Sequence, residues 1–227
     1  MGLLADRIAV VTGAARGLGA AIAARLAEEG AVVTALDLPD CDVTEEAQVA
    51  AAMARLPRID ILVANAGVVP PWRGVEALDL AEWDRVFAVN VRGVAACMKH
   101  AAPRMGAGGA ILAMASLNAE RAAAGQALYT ATKHAVLGLV RAAALDLGPR
   151  GIRVNALGPG PIATEALRGR IAARGMAEDQ ALAAEAARTP LGRIATEAEV
   201  ANAALFLVSD LASGITGKML RVDGGLA

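Results

Sequence analysis

The chain has 227 residues with 22 basic and 23 acidic side chains, a net charge of −1, and neither a basic run nor aromatic residues interleaved with basic ones, which argues against nucleic acid or an anionic membrane surface as partner. That length suits one large domain with a substantial core. Mean hydropathy is high at +0.47, but much of it is alanine, and the longest uncharged stretch, 105–119, is too short and too rich in Gly, Ser and Asn to span a bilayer.

Asp6 and Arg7 lead directly into an apolar run, Ile8 to Val11, without the layout of a signal peptide, so a cytoplasmic protein is expected. The run enters Thr12-Gly13-Ala14-Ala15-Arg16-Gly17-Leu18-Gly19, and an alanine-rich helical pattern, Ala20 to Glu29, leaves it. A glycine turn that opens a helix lets the backbone approach a phosphate and aims free N–H groups at its charge. A second apolar run, Ala31 to Leu36, ends in Asp37, about where a dinucleotide-binding unit places the acid that binds a ribose. Downstream, Glu45 to Leu56 reads as a helix and Ile59 to Ala64 as a buried strand ending in Asn65-Ala66-Gly67. A long helical stretch from Leu80 to Met105, broken near Pro103, precedes a strand from Ala110 to Ala115. The Leu128 to Leu147 helix, the Ile152 to Ala156 strand, a helix from Glu197 to Val208 and a strand from Lys218 to Val222 complete the pattern. Strands alternating with helices predict an α/β class with one doubly wound parallel sheet, residues 1–227 forming a single nucleotide-binding domain. The longest excursion, about 160–195 with two helical patterns within 162–190, reads as a substrate lid. Cys41 and Cys97 are too few for a disulfide framework, and with His100 and His134 they give no metal-ligand spacing, so no metal is expected.

In a doubly wound sheet the ligand lies outside the carboxyl ends of the strands. Ser116 follows one strand directly; Tyr129, the only tyrosine, stands four residues before Lys133, so both project from one helical face. A tyrosine is a poor base at neutral pH, but an adjacent ammonium favours its phenolate. A serine hydroxyl opposite can then hydrogen-bond a substrate oxygen.

These motifs, together with Asp42-Val43-Thr44, Asn90, Asn155, Pro159-Gly160, Thr164 and Val222-Asp223-Gly224-Gly225, resemble those of the classical short-chain dehydrogenases/reductases across essentially the whole chain. The resemblance implies an oxidoreductase that moves a hydride between a nicotinamide cofactor and a secondary alcohol or ketone. In it Tyr129 is the acid/base, Ser116 polarises the substrate, Lys133 binds the ribose and tunes Tyr129, and Asn90 holds a relay water. It places the cofactor against Gly13, Arg16, Gly17, Leu18, Gly19, Asp37, Asp42, Val43, Asn65, Ala66, Gly67, Tyr129, Lys133, Pro159, Gly160, Ile162 and Thr164. Trp72, Leu117, Asn118, Gln126 and Ile162 are candidate substrate contacts, and a homotetramer or homodimer is implied. Asp37 favours NAD over NADP, although Arg16 would partly offset its charge. The competing reading is a non-catalytic dinucleotide-binding sensor, which has no need of Ser116, Tyr129, Lys133 and Asn90 together.

One departure from the family pattern stands out. Only Leu38, Pro39, Asp40 and Cys41 separate Asp37 from Asp42, whereas a parallel crossover needs a dozen residues or more. The third strand of the family and its helix are therefore expected to be absent, leaving six strands in the family order 2-1-4-5-6-7 with Ala31 to Leu36 at the edge. Asp42 is expected to reach the adenine from a loop, at a cost in cofactor affinity.

Overall fold

Six of the apolar runs become parallel strands in the computed structural model, which describes residues 2–173, 175 and 177–226 and only the backbone of Ala166, Arg170 and Ala173. They are β1 (Ile8–Thr12), β2 (Val32–Leu36), β3 (Ile61–Ala64), β4 (Ala110–Met114), β5 (Arg153–Pro159) and β6 (Met219–Val222), in the order β2-β1-β3-β4-β5-β6. Side chains alternate across a strand, so each strand feeds two cores. Val10, Leu62, Ile111 and Val154 meet α2 (Glu46–Ala54), α4 (Val94–Ala101) and α5 (Ala127–Leu147) on one face. Ala9, Val11, Ile61, Leu112 and Leu157 meet α1 (Gly17–Glu28) and α8 (Glu197–Val208) on the other. The chain switches faces between β1 and β3, and that switch opens a crevice at the carboxyl ends of the strands.

The expected loss of the third strand holds. Between β2 and α2 the chain makes one tight turn, in which the Cys41 N–H donates to the Asp37 carbonyl at 2.9 Å, and among the described residues nothing pairs with the outer side of β2. Val32 on that strand is consequently 62% exposed.

Residues 80–105 do not form the long helix expected up to Pro103. α3 (Leu80–Phe87) passes through a π-helical turn, Ala88–Gly93, into α4, and a 3-10 turn follows at Ala102–Arg104. The widened turn lets Asn90 spend its side-chain amide on another segment, and it seats Gly93 against Val43, where a Cβ would come within 2.8 Å of Val43 Cγ2. β5 runs three residues beyond the expected Ala156, because Gly158 lies flush on Met219 and the Gly160 N–H donates to the Val222 carbonyl at 3.0 Å.

Two helices occupy the long excursion, α6 (Glu165–Ala173) and α7 (Glu178–Ala187), and they pack on each other. Arg174 and Met176, which fall inside that predicted segment, lie outside the described residues. A parallel bridge between Ile162 and Ala195 closes its base. α8 begins at a full capping box between Thr196 and Glu199. Among the described residues no helix is long and apolar enough to cross a membrane.

Candidate active site

The turn after β1 is built for close approach. Gly13 and Gly17 have φ of +63° and +57°, and a Cβ on Gly19 would fall 2.0 Å from the Gly13 carbonyl oxygen, so a side chain at any of the three is strained or excluded. Asn65 at the end of β3 stitches the turn down: its Nδ2 donates to the carbonyls of Thr12 (2.9 Å) and Gly13 (3.0 Å). The Thr12 hydroxyl in return accepts from the N–H groups of Asn65 and Ala66 at 3.1 and 3.0 Å. α1 opens at Arg16 with no side-chain cap. Its first-turn amides, which no side chain caps, therefore face the crevice with the positive end of the helix dipole.

Asp37 closes the edge of this turn. Its carboxylate accepts from the Ala15 N–H at 2.7 Å and the Leu38 N–H at 2.8 Å, which fixes both oxygens at the mouth of the crevice. Asp42 is held likewise, its Oδ1 accepting from the Thr44 N–H and hydroxyl at 2.9 and 2.8 Å. Arg16 extends across the mouth to Glu165 of α6 at 3.8 Å, both side chains being largely in solvent, so the pair adds little to stability.

The other end of the crevice is deeper. Lys133 is buried in the middle of a helix, donates from Nζ to the Met114 carbonyl at 2.8 Å, and lies 5.5 Å from the centre of the Tyr129 ring, within cation–π range. Burial pushes the Lys133 ammonium down to about 8, which still leaves it charged at neutral pH. The Ser116 hydroxyl oxygen accepts from the Asn118 N–H at 3.2 Å. Asn118 in turn donates from Nδ2 to Gln126 Oε1 at 2.7 Å. Asn90 is 1% exposed. Its amide pairs with both backbone groups of Val68 at 2.8 Å and reaches the Thr132 hydroxyl at 3.4 Å, so it ties the β3 loop to α5. Both cysteines are buried and free, with burial raising Cys97 to about 12.

One cavity of about 650 Å³ joins the two ends, a volume in the range of small-molecule sites. Gly13, Arg16, Gly17, Leu18, Gly19, Asp37, Asp42, Val43, Asn65, Ala66, Gly67, Ser116, Tyr129, Lys133, Pro159, Gly160, Ile162 and Thr164 line it. Every residue assigned from the sequence to catalysis or cofactor binding is on this wall except Asn90, which stands behind it, whereas of the candidate substrate contacts only Ile162 is on it. Sequence reasoning missed Leu38, Cys41, Thr44, Val68, Val69, Val89, Met114, Ala115 and Glu165. Of these, Leu38 and Cys41 had a signal in their places beside Asp37 and Asp42 in the shortened loop, and Thr44 had one in the Asp42-Val43-Thr44 motif. Of the candidate substrate contacts, Leu117 is 3% exposed and turns into the core, while Trp72 and Gln126 line a small hollow that also touches Tyr129. The residues present fit a dinucleotide: three glycines at which a side chain is strained or excluded, a helix start without a side-chain cap, a fixed carboxylate and a cavity of suitable size.

Comparison with known proteins gives the same picture. A family model described as enoyl-(acyl carrier protein) reductase matches residues 38–227. The cis-4-hydroxycyclohexanecarboxylate dehydrogenase of Sinomonas cyclohexanicum is 41% identical over 247 aligned positions, covering 97% of this chain and 96% of that protein. An alignment longer than this chain means that the relative carries residues with no counterpart here, as loss of a strand and helix requires. Among solved structures, ligand-free aldohexose dehydrogenase of Thermoplasma acidophilum superposes with a TM-score of 0.93 at 34% identity, covering 98% of this chain and 94% of that one. A short chain dehydrogenase from Burkholderia cenocepacia J2315 in complex with NADP gives a TM-score of 0.89 at 32% identity, covering 99% of each chain. Arg16 and Asp37, whose charges bear in opposite senses on a 2′-phosphate, stand together on the cavity wall.

Proposed function

The chain belongs to the short-chain dehydrogenase/reductase family, and from that premise we propose that it interconverts a secondary alcohol and a ketone, with Ser116, Tyr129, Lys133 and Asn90 as its reactive site. The observation that carries this reading is the single cavity bounded by the bare glycine turn at one end and by Ser116, Tyr129 and Lys133 at the other. A nicotinamide cofactor, NAD or NADP, supplies the hydride acceptor for oxidation and the hydride donor for reduction.

In the oxidative direction the Ser116 hydroxyl donates to the substrate oxygen and orients it. Tyr129, as phenolate, takes the hydroxyl proton while the carbinol carbon gives up its hydride, and the C–O bond becomes a carbonyl. Lys133, charged and 5.5 Å from the ring, favours the phenolate form. Asn90 fixes the β3 loop against α5 and so sets the depth at which Tyr129 meets the substrate; it is also the proposed holder of a relay water. Residues 160–195 act as the substrate lid. The relative that oxidises a hydroxycyclohexane carboxylate supports a ring-bearing secondary alcohol as substrate. Assembly into homodimers or homotetramers through α5 is part of the same proposal.

The test is NAD(P) reduction with a panel of cyclic and acyclic secondary alcohols, run beside cofactor binding. Turnover with at least one ring alcohol is expected. Saturable cofactor binding with no turnover across the panel would overturn the reading.

A further inference from the structure

The excursion between β5 and β6 leaves the sheet and returns to it, and both of its feet rest on the same few residues. The first foot is Pro159-Gly160: the Gly160 N–H donates to the Val222 carbonyl at 3.0 Å, and a Cβ on Gly160 would lie 2.9 Å from Asp223 Cβ and 3.0 Å from its Cα. The second foot is Thr189-Pro190-Leu191. There the Leu191 N–H donates to the Gly224 carbonyl at 3.2 Å. A Cβ on Gly224 would lie 3.1 Å from Thr189 Cβ, and one on Gly225 would lie 3.1 Å from Pro190 Cγ. Both glycines are in the left-handed region, with φ of +67° and +86°, so the turn has room for neither a side chain nor a different path.

Two side chains lock this arrangement. Asp223 is 7% exposed, and its Oδ1 accepts from the Gly225 N–H at 3.0 Å, pinning the turn on itself. Its Oδ2 is buried without a hydrogen bond, 3.5 Å from Arg221 Nε; a buried carboxylate tolerated on such terms is held by its surroundings. Thr189, 5% exposed, donates its hydroxyl between the carbonyls of Ala186 (2.9 Å) and Arg193 (2.8 Å), closing the second foot. The two helices between the feet pack on each other.

We propose that the turn Asp223-Gly224-Gly225 is the common seat of the substrate lid, and that Asp223 and Thr189 are positioning residues that set where the lid stands over Ser116 and Tyr129. This rests on the reading of residues 160–195 as the lid. Loosening the seat frees both feet at once, so substrate binding suffers before chemistry does, because Ser116 follows β4, Tyr129 and Lys133 stand on α5 and Asn90 stands on the π-helical turn, none of them within the excursion or its seat.

The experiment compares Asp223→Ala, Asp223→Asn and Thr189→Val with the parent protein, reading KM and kcat for the best ring alcohol and the rate of limited proteolysis within residues 165–187. Asp223→Ala is expected to raise KM about 3- to 10-fold, to leave kcat within about twofold, and to speed cleavage of the excursion severalfold. Asp223→Asn, which keeps the oxygen that accepts from Gly225, restores parental behaviour. Thr189→Val, which touches only the second foot, shifts KM and cleavage in the same direction and keeps the proposal testable if Asp223→Ala fails to fold. Unchanged KM and cleavage in both variants, or a fall in kcat with KM unmoved, would overturn the proposal. Proteolysis needs no turnover, so faster cleavage in a protein that oxidises no alcohol would sink the proposed reaction and leave the seat standing.

Discussion

The two ends of the cavity are held by different means. At the end proposed to be reactive, Ser116 follows β4, Tyr129 and Lys133 stand on α5, and Asn90 stands on the π-helical turn; Lys133 and Asn90 are buried, and three of these side chains are tied to backbone, Lys133 to Met114, Ser116 to Asn118 and Asn90 to Val68. At the adenine end one turn of five residues replaces a strand and a helix, β2 is an open edge, and Leu38 and Val32 are 66% and 62% exposed. A deletion at the rim of a doubly wound sheet can thin the grip on a cofactor without reaching the chemistry, because the crossovers that place Ser116 and Tyr129 lie on the other side of β1.

Substitutions at either end sharpen that contrast. The largest effect is expected from Tyr129→Phe, which deletes only the proton-transferring hydroxyl: kcat should fall by about 10² to 10⁴ while cofactor Kd stays within a few-fold. Retention of a large share of kcat breaks the assignment. Gly19→Ala acts at the opposite end. Its Cβ would fall 2.0 Å from the Gly13 carbonyl, so cofactor Kd, measured by titration calorimetry, should weaken by about 10-fold or more.

Lys133 gives a pH signature. Its folded pKa of about 8 lies below the ordinary 10.5, so between those values the unfolded chain holds a proton that the folded one has released. The cofactor-free protein should gain stability as pH rises from 8 to 10.5, by up to about 3 kcal/mol at 1.36 kcal/mol per unit. Lys133→Met should abolish this gain in denaturant titrations; an equal rise in the variant would show that Lys133 is not its source.

At the rim, removing the fixed carboxylate with Asp37→Ser should move the ratio of kcat/KM for NADP over that for NAD upward by about 10-fold. An unchanged ratio would take Asp37 out of cofactor selection. The smallest effect belongs to the shortened loop. Asp42→Ala should weaken NAD by only about two- to threefold, from a parental Kd already above micromolar. A sub-micromolar parental Kd would contradict the thinned adenine end.

The contrast also shows where sequence is a sufficient guide. The missing strand was legible because four residues cannot make a parallel crossover, and Tyr129, Lys133 and Ser116 were legible because strand ends and helical spacing place them. Asn90 was legible as an awkward residue for a helix, but the π-helical turn around it was not, since it answers to Val43 and Val68 from distant segments. The Met114 carbonyl that anchors Lys133 is backbone and leaves no mark in residue type. Asn65 was assigned to the cofactor wall, and that it also staples the glycine turn emerges only once β1 and β3 lie side by side. The shared seat of the excursion is equally non-local, joining residues more than 60 positions apart.

Hydride transfer itself can be followed directly. With a ring alcohol carrying deuterium at the carbinol carbon, the account predicts that the reduced nicotinamide cofactor formed by the wild-type protein gains one deuterium by mass spectrometry, in equal amount to the ketone. Ketone formed with no deuterium in the cofactor would contradict it.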